Sequence, residues 1–85
     1  MAGFEILFKE SVYKELKSIP KTDLKKILSK IELLANDPRP TGSQKLTGLE
    51  LYRVRQGQYR IVYSIHDNEL LIHIVKVGHR KDVYR

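Results

Sequence analysis

The stretch Leu51–Tyr63 constrains the fold most, because it has the pattern of a β-hairpin. Two short runs of aromatic, β-branched and basic residues flank Gln56-Gly57-Gln58, and glycine reaches the positive φ that tight hairpin loops require. Because side chains alternate between the two faces of a strand, one face is predicted to be apolar and the other to carry Arg53, Arg55 and Arg60. The stretch contains no acidic residue. Guanidinium groups gathered without counter-ions suit a site that receives phosphate groups.

The length and composition predict one small domain spanning residues 1–85. Cysteine is absent, which excludes disulfides, thiolate metal sites and catalytic thiols, and no metal or cofactor is expected. No apolar run approaches the roughly 18–20 residues that span a bilayer. The first residues lack the basic-then-apolar layout of a signal peptide. We therefore expect a soluble cytoplasmic protein with no membrane partner.

The positive charge is concentrated in the second half of the chain. The net charge is +6, and residues 51–85 hold seven lysines and arginines against three acids. Five of those seven are arginines, a residue type suited to planar, bidentate recognition of phosphate or carboxylate. A basic domain of this kind favours nucleic acid or an acidic protein as its partner.

The first third of the chain predicts a strand and two helices. Gly3–Phe8 alternates apolar and other residues, as a strand does. Ser11 is a candidate N-cap for a first helix that Pro20 ends, and Thr22 or Asp23 can cap the second helix. Four lysines lie largely off the apolar stripe of the second helix and predict either a solvated face or a contact with structured RNA: Lys21, Lys25, Lys26 and Lys30.

The last third predicts a further hairpin and a buried strand. Asp67-Asn68 has the length of a tight two-residue turn. Leu70–Val77 has the apolar pattern of a central strand, which is predicted to end before Gly78. The whole pattern is β-α-α-β-β-β, an α+β fold. It predicts two antiparallel helices packed on one face of a four-stranded, mainly antiparallel sheet whose last three strands form a meander. The other face is left for function.

Four short motifs in this order resemble the RelE/ParE superfamily of toxins from type II toxin–antitoxin systems. They are Lys45-Leu46-x-Gly48, Tyr52-Arg53-x-Arg55, Tyr59-Arg60-Ile61-x-Tyr63 and Val77-Gly78-His79-Arg80-x-x-Val83-Tyr84. The C-terminal segment formed by residues 79–85, here called the tail, is more similar to the RelE branch, whose members cleave mRNA in the ribosomal A site. The resemblance therefore implies a RelE-like fold, a ribosome-dependent mRNA endonuclease, and a RelB-like antitoxin. That antitoxin would cover the basic face and carry the complex to operator DNA.

RNA cleavage without a metal uses the 2′-OH as the nucleophile against the adjacent phosphorus. Arginine is a poor acid or base because its pKa exceeds about 12, but it stabilises the charge on the phosphorane well. We assign Arg60 to the scissile phosphate, Arg53 and Arg55 to the flanking backbone, and Arg80 to the leaving oxygen. The family resemblance implies that Tyr84 is the base or base-orienter. His79 is the candidate acid–base group, because the ordinary pKa of histidine is about 6.5, and Lys45 and Lys81 are assigned to outer RNA contacts.

Other interpretations stay open at this point. The hairpin arginines could form salt bridges or bind antitoxin carboxylates. His66 and His73 are predicted to be structural, and Tyr52, Tyr59 and Tyr63 to pack in the core or at its rim. A ParE-type inhibitor of DNA gyrase would need no chemistry from the tail. A small basic structural or nucleic-acid-binding protein without toxicity is a third possibility.

Overall fold

A computed structural model describes residues 3–81 of the chain. Five strands and two helices follow one another in the order β-α-α-β-β-β-β. Their bounds are β1 Glu5–Phe8, α1 Glu10–Lys17, α2 Lys21–Leu34, β2 Gln44–Lys45, β3 Tyr52–Gln56, β4 Tyr59–His66 and β5 Leu71–His79. The predicted α+β arrangement is confirmed.

The strands form one mixed sheet in the order β1-β5-β4-β3-β2. β1 is parallel to β5, and the other neighbouring pairs are antiparallel, so the predicted meander of the last three strands is confirmed. The predicted count of four strands is wrong by one. The additional strand is β2, whose two residues pair with the first two residues of β3.

Both helices begin earlier than predicted. Lys9 is the N-cap of α1 and Pro20 is the N-cap of α2, and neither makes a side-chain capping bond. The caps predicted at Ser11 and at Thr22 or Asp23 are therefore wrong. The backbone amide of Lys9 donates to the carbonyl of Ile74 at 2.9 Å, so the sheet determines where α1 begins. In α2 the fixed φ of Pro20 already suits the entry into a helix.

The two hairpin turns also differ from their predictions. The first contains two residues rather than three, because Gln56 and Tyr59 still pair, and Gly57 adopts the positive φ of 60°. The second is a 3₁₀ turn over Asp67–Glu69 followed by Leu70 at φ 52°, not a two-residue primed turn. β5 then continues through Gly78 instead of ending before it.

The helices cover one face of the sheet with a single core. Buried side chains from both helical segments meet those of three strands: Val12, Ile19, Ile27, Ile31 and Leu34 from the first group, and Val54, Ile61, Tyr63, Ile72, Ile74 and Val77 from the second. The Tyr63 hydroxyl donates to the carbonyl of Pro38 at 2.7 Å, and burial raises the pKa of Tyr63 to about 12. Neither helix within residues 3–81 has the length and apolar character needed to cross a bilayer.

Candidate nucleic-acid interface

The face of the sheet opposite the helices carries the three hairpin arginines, as predicted. In the register of β3 and β4, Arg55 lies directly opposite Arg60, and Arg53 lies opposite Val62. Arg60 in turn pairs with Gly78 of β5. Residues that pair directly across strands point to the same face, so Arg55 and Arg60 form a row of adjacent guanidinium groups near the β3–β4 turn.

The three arginines differ in exposure. Arg55 is exposed and Arg60 is half-buried, whereas Arg53 is only 8% exposed. Nη2 of Arg53 donates to Oε1 of Gln44, and its Nε has no hydrogen-bond partner within residues 3–81. Arg53 is therefore a buried side chain that links β3 to β2 by a hydrogen bond. The contribution of Gln44 was missed, because a two-residue strand leaves no periodic pattern in the sequence.

Three acids of the described chain pair with cations outside the arginine row. Within residues 3–81 the ion pairs are Arg39–Asp67 at 2.9 Å, Lys45–Glu50 at 3.7 Å and Lys76–Glu15 at 3.0 Å. None of them involves Arg53 or Arg55. The charges of these two arginines thus remain uncompensated by acids of the described segment, which leaves Arg55 available to an external anion.

The end of β5 brings the backbone of Arg80 to the β3–β4 turn, beside the arginine row. The Arg80 amide donates to the Gln58 carbonyl at 2.8 Å, which extends the β4–β5 ladder by one step beyond the pair of Tyr59 with His79. By alternation, Arg80 then belongs to the face that carries Arg60. Lys81 is exposed beside it. Tyr84, the residue assigned as base or base-orienter, lies outside the described residues.

His79 is not brought to the arginine row. Its ring meets the edge of the Tyr59 ring, with centroids 5.7 Å apart, and Tyr59 packs against the core. Alternation therefore places His79 on the helix side of the sheet, while Arg60 points to the opposite side. Nδ1 of His79 accepts a bond from the Lys81 amide at 3.3 Å. His79 thus holds the backbone at the start of the tail through this hydrogen bond.

The remaining residues of the sequence prediction lie further out. Lys45, at the exposed edge strand β2, pairs with Glu50. The ring of His66 contacts the Ser64 hydroxyl at 3.0 Å, and His73 is the register partner of Ser64. Among residues 3–81, no three His, Cys, Asp or Glu side chains come together as metal ligands.

A carboxylate on α1 supports the half of β5 that carries Gly78. β1 pairs with β5 only as far as Ile74, and the register then shifts so that Val75 has no partner. α1 follows β1 immediately, and Oε1 of Glu15 accepts a hydrogen bond from the Val77 amide at 3.0 Å. A side chain thus replaces the missing strand neighbour. This role of Glu15 could not be predicted from the sequence, because it depends on the tertiary fold.

An apolar groove of about 480 Å³ occupies another part of the open face. The loop between β2 and β3 forms one wall, and residues of β4 and β5 form the floor. Its lining comprises Leu46, Leu49, Leu51, Val62 and Val75, with Lys9 and Lys76 at its margin. The open face therefore combines a cationic end with an apolar groove.

Comparison with known proteins gives the family. The model of the ParE toxin of type II toxin–antitoxin systems (parDE) matches residues 6–84. RelE1 of Methanocaldococcus jannaschii, a toxin by its assigned name, is 34% identical over 96% of both chains.

Solved structures agree with this assignment. The archaeal RelE–RelB complex of Pyrococcus horikoshii contains a chain that is 30% identical, with a TM-score of 0.83 over 95% of this chain and 99% of that one. A double arginine-to-alanine mutant of Escherichia coli toxin RelE in the free state is 26% identical, with a TM-score of 0.79 over 98% of this chain and 88% of that one. The resemblance seen in the sequence is thus confirmed, and the chain belongs to the RelE/ParE superfamily of type II toxin–antitoxin toxins.

Proposed function

We propose that this toxin is a ribosome-dependent mRNA endonuclease of the RelE kind, acting in the cytoplasm on mRNA in the ribosomal A site. The observation that carries the proposal is the directly opposed pair of Arg55 and Arg60 on the open face, with Arg80 beside it. Such a cluster can hold a phosphodiester by several oxygens at once, which suits an RNA backbone under in-line attack.

In the proposed reaction the 2′-oxygen attacks the neighbouring phosphorus and the bond to the 5′-oxygen breaks. The products are a 2′,3′-cyclic phosphate and a free 5′-hydroxyl whose proton comes from solvent, so the reaction consumes no cofactor. Arg60 contacts the non-bridging oxygens, where charge grows in the transition state. Arg55 holds the flanking backbone, and Arg80 stabilises the leaving oxygen.

The other assigned residues act around this centre. Tyr84 receives or orients the proton of the 2′-OH, and His79 positions the tail that leads to Tyr84. Arg53 is buried and bonds to Gln44 of β2, so it adds its charge to the positive potential around Arg55 but does not grip RNA from the surface. Lys45 and Lys81 contact RNA at the margin of the site, where both are exposed.

A site built on arginine lacks a tuned acid–base pair, so positioning by a partner must supply a large share of the rate. Correct positioning can lower a barrier by about 7–11 kcal/mol in favourable cases. We therefore expect cleavage of mRNA on translating ribosomes and little cleavage of naked RNA.

The test is primer extension on mRNA bound to translating ribosomes. Arg60→Ala should lower the cleavage rate by about 10²–10³, the usual cost of removing one donor to a transition-state charge. Lys14→Ala, which removes an exposed cation from α1, is the matched control and should cleave as the wild type does. An Arg60→Ala or Tyr84→Phe protein that cleaved at the wild-type rate would refute these roles.

The partner of the toxin is proposed to be a RelB-like antitoxin that also carries the complex to operator DNA. The solved relatives from Pyrococcus horikoshii and Methanococcus jannaschii are complexes of RelE with RelB. A segment with apolar and acidic residues would fit the open face, because it could fill the groove and neutralise the arginine row at the same time.

Inhibition of DNA gyrase is the second candidate, because the matching family model is that of the ParE toxins. A binding-only toxin needs no chemistry from residues 83–85, so deleting them should leave its toxicity intact. A supercoiling assay run beside the ribosome assay separates the two functions. Loss of supercoiling with no mRNA cleavage would replace the nuclease proposal with this one.

A further inference from the structure

The outer face of α2 carries positive charge that its own chain does not neutralise. Three of its four lysines are exposed and Lys30 is half-buried. None of the four forms an ion pair with another residue of the 3–81 segment. The ten residues from Lys21 to Lys30 hold these four lysines against a single acid, Asp23.

The placement of these lysines does not serve the helix. The N-terminal end of a helix carries partial positive charge, so cations are favourable in the last turn and unfavourable near the first. α2 has no basic residue in its last turn, and its lysines lie in its first ten residues. Lys26 and Lys30 are also one turn apart on one side, where like charges repel. A charge pattern that opposes helix stability points to an external anion.

The outer face of α2 with Lys21, Lys25, Lys26 and Lys30, here called the lysine face, adjoins the cationic end of the sheet. A groove of about 360 Å³ separates α2 from Gln56, the last residue of β3. Its lining is Lys25, Lys26, Ser29, Lys30, Leu33 and Gln56. Arg55, the neighbour of Gln56, points to the open face, and β2 pairs with β3 only at Tyr52 and Arg53. In the described segment no strand therefore separates the α2 groove from the arginine row.

We infer that the lysine face of α2 is a second RNA-binding surface, which grips the phosphate backbone of helical RNA beside the cleavage site. Its role on the ribosome rests on the proposed function, whereas its affinity for an RNA helix does not. The surface anchors the toxin, and the arginine row acts on the mRNA.

The residue types select the backbone of helical RNA as the ligand. The helix contains no aromatic residue, so it offers no platform on which unpaired bases could stack. Lysine binds phosphate as a compact point charge, and contacts with phosphate carry no sequence information. Lys26 and Lys30 are about 6 Å apart along the helix axis, so both can contact one sugar-phosphate strand.

The test measures binding of a short RNA duplex by fluorescence anisotropy over a range of salt concentrations. Lys26→Gln/Lys30→Gln removes two charges from the proposed surface. Lys14→Gln/Lys17→Gln removes two exposed charges from α1 and is the matched control. The first variant should bind more weakly, and the slope of log affinity against log salt should shrink by about 2, about one for each phosphate that the variant no longer binds. The control should keep the wild-type slope.

Three results would overturn the inference: equally weakened binding in the two variants, tighter binding of a single strand than of the duplex, or binding of an acidic peptide as tight as that of the duplex. On translating ribosomes the Lys26→Gln/Lys30→Gln protein should show a higher KM with an unchanged kcat, because anchoring is separate from chemistry. If the wild type bound duplex but never cleaved mRNA, the nuclease proposal would fail while this inference stood.

Discussion

Replacing Arg55 with glutamine should stabilise the free toxin, because Arg55 is an exposed cation placed among other cations. Arg53 lies two residues away on the same face of β3, and Arg60 lies directly opposite on β4. Residues two apart in a strand are about 6.7 Å apart. At that distance two unit charges repel by about 0.6 kcal/mol in bulk water and about 2.5 kcal/mol at an effective dielectric constant of 20.

The repulsion energy in bulk water applies more closely than the value at a dielectric constant of 20, since Arg55 is exposed and water screens its charge. We expect Arg55→Gln to raise the free energy of unfolding by about 0.5–1 kcal/mol, the range that Coulomb repulsion near the surface allows. For a domain of this size that corresponds to a rise in Tm of about 2–8 °C. The same variant should lose cleavage activity on ribosomes, so stability and function should change in opposite directions.

Thermal unfolding followed by circular dichroism measures the shift, with Lys14→Gln as the control of equal charge change. Lys14 lies in the last turn of α1, where a cation is favourable, so its removal should leave Tm unchanged or lower it. About 1 M salt reduces the screening length to about 3 Å and should diminish the advantage of Arg55→Gln. A Tm of Arg55→Gln at or below that of Lys14→Gln in low salt would refute the reasoning.

Two further predictions concern the loop that leads from α2 to β2. Tyr63→Phe removes the donor to the Pro38 carbonyl and should lower the free energy of unfolding by about 1–3 kcal/mol, measured by urea unfolding; an unchanged midpoint would contradict it. The bidentate bond from Arg39 holds the pKa of Asp67 below its usual range. The stability this pair contributes is therefore present above the unfolded pKa of Asp67 and is lost as pH falls through the folded pKa. The small Tm difference between wild type and Asp67→Asn should accordingly shrink as pH falls from about 5 toward 3, and a difference that grew on acidification would contradict the assignment.

The strand pattern of the hairpin was predictable because it is local. Arg53, Arg55 and Arg60 follow from the period of two, and the structure places all three on the open face. Their unequal exposure was not predictable. Arg53 is buried beside β2, and β2 exists only because Gln44 and Lys45 pair with the start of β3. A two-residue strand has no pattern of its own, so its effect on a neighbour appears only in the folded chain.

Helix ends and the position of His79 show the same limit. α1 begins where β1 meets β5, through the bond from Lys9 to Ile74, and its start does not depend on the capping preference of Ser11. His79 was assigned to the site because it is next to Arg80 in sequence. In a strand, however, adjacent residues point to opposite faces, and β5 continues one residue past Gly78. Because the strand ends two residues later than predicted, at His79 instead of Val77, a candidate catalytic side chain lies on the other side of the sheet.

The arginine row and the lysine face have a common physical character. Each places cations near other positive charge, which costs stability: Arg55 opposite Arg60 in the sheet, and lysines toward the positive end of α2. Each cost is relieved when an anion binds, and a ligand that binds only the folded state stabilises that state. An acidic antitoxin segment and RNA phosphates would therefore compete for the same positive charge. Neutralisation by such an antitoxin then needs no change in the fold of the toxin, because occupying the charge is sufficient to exclude RNA.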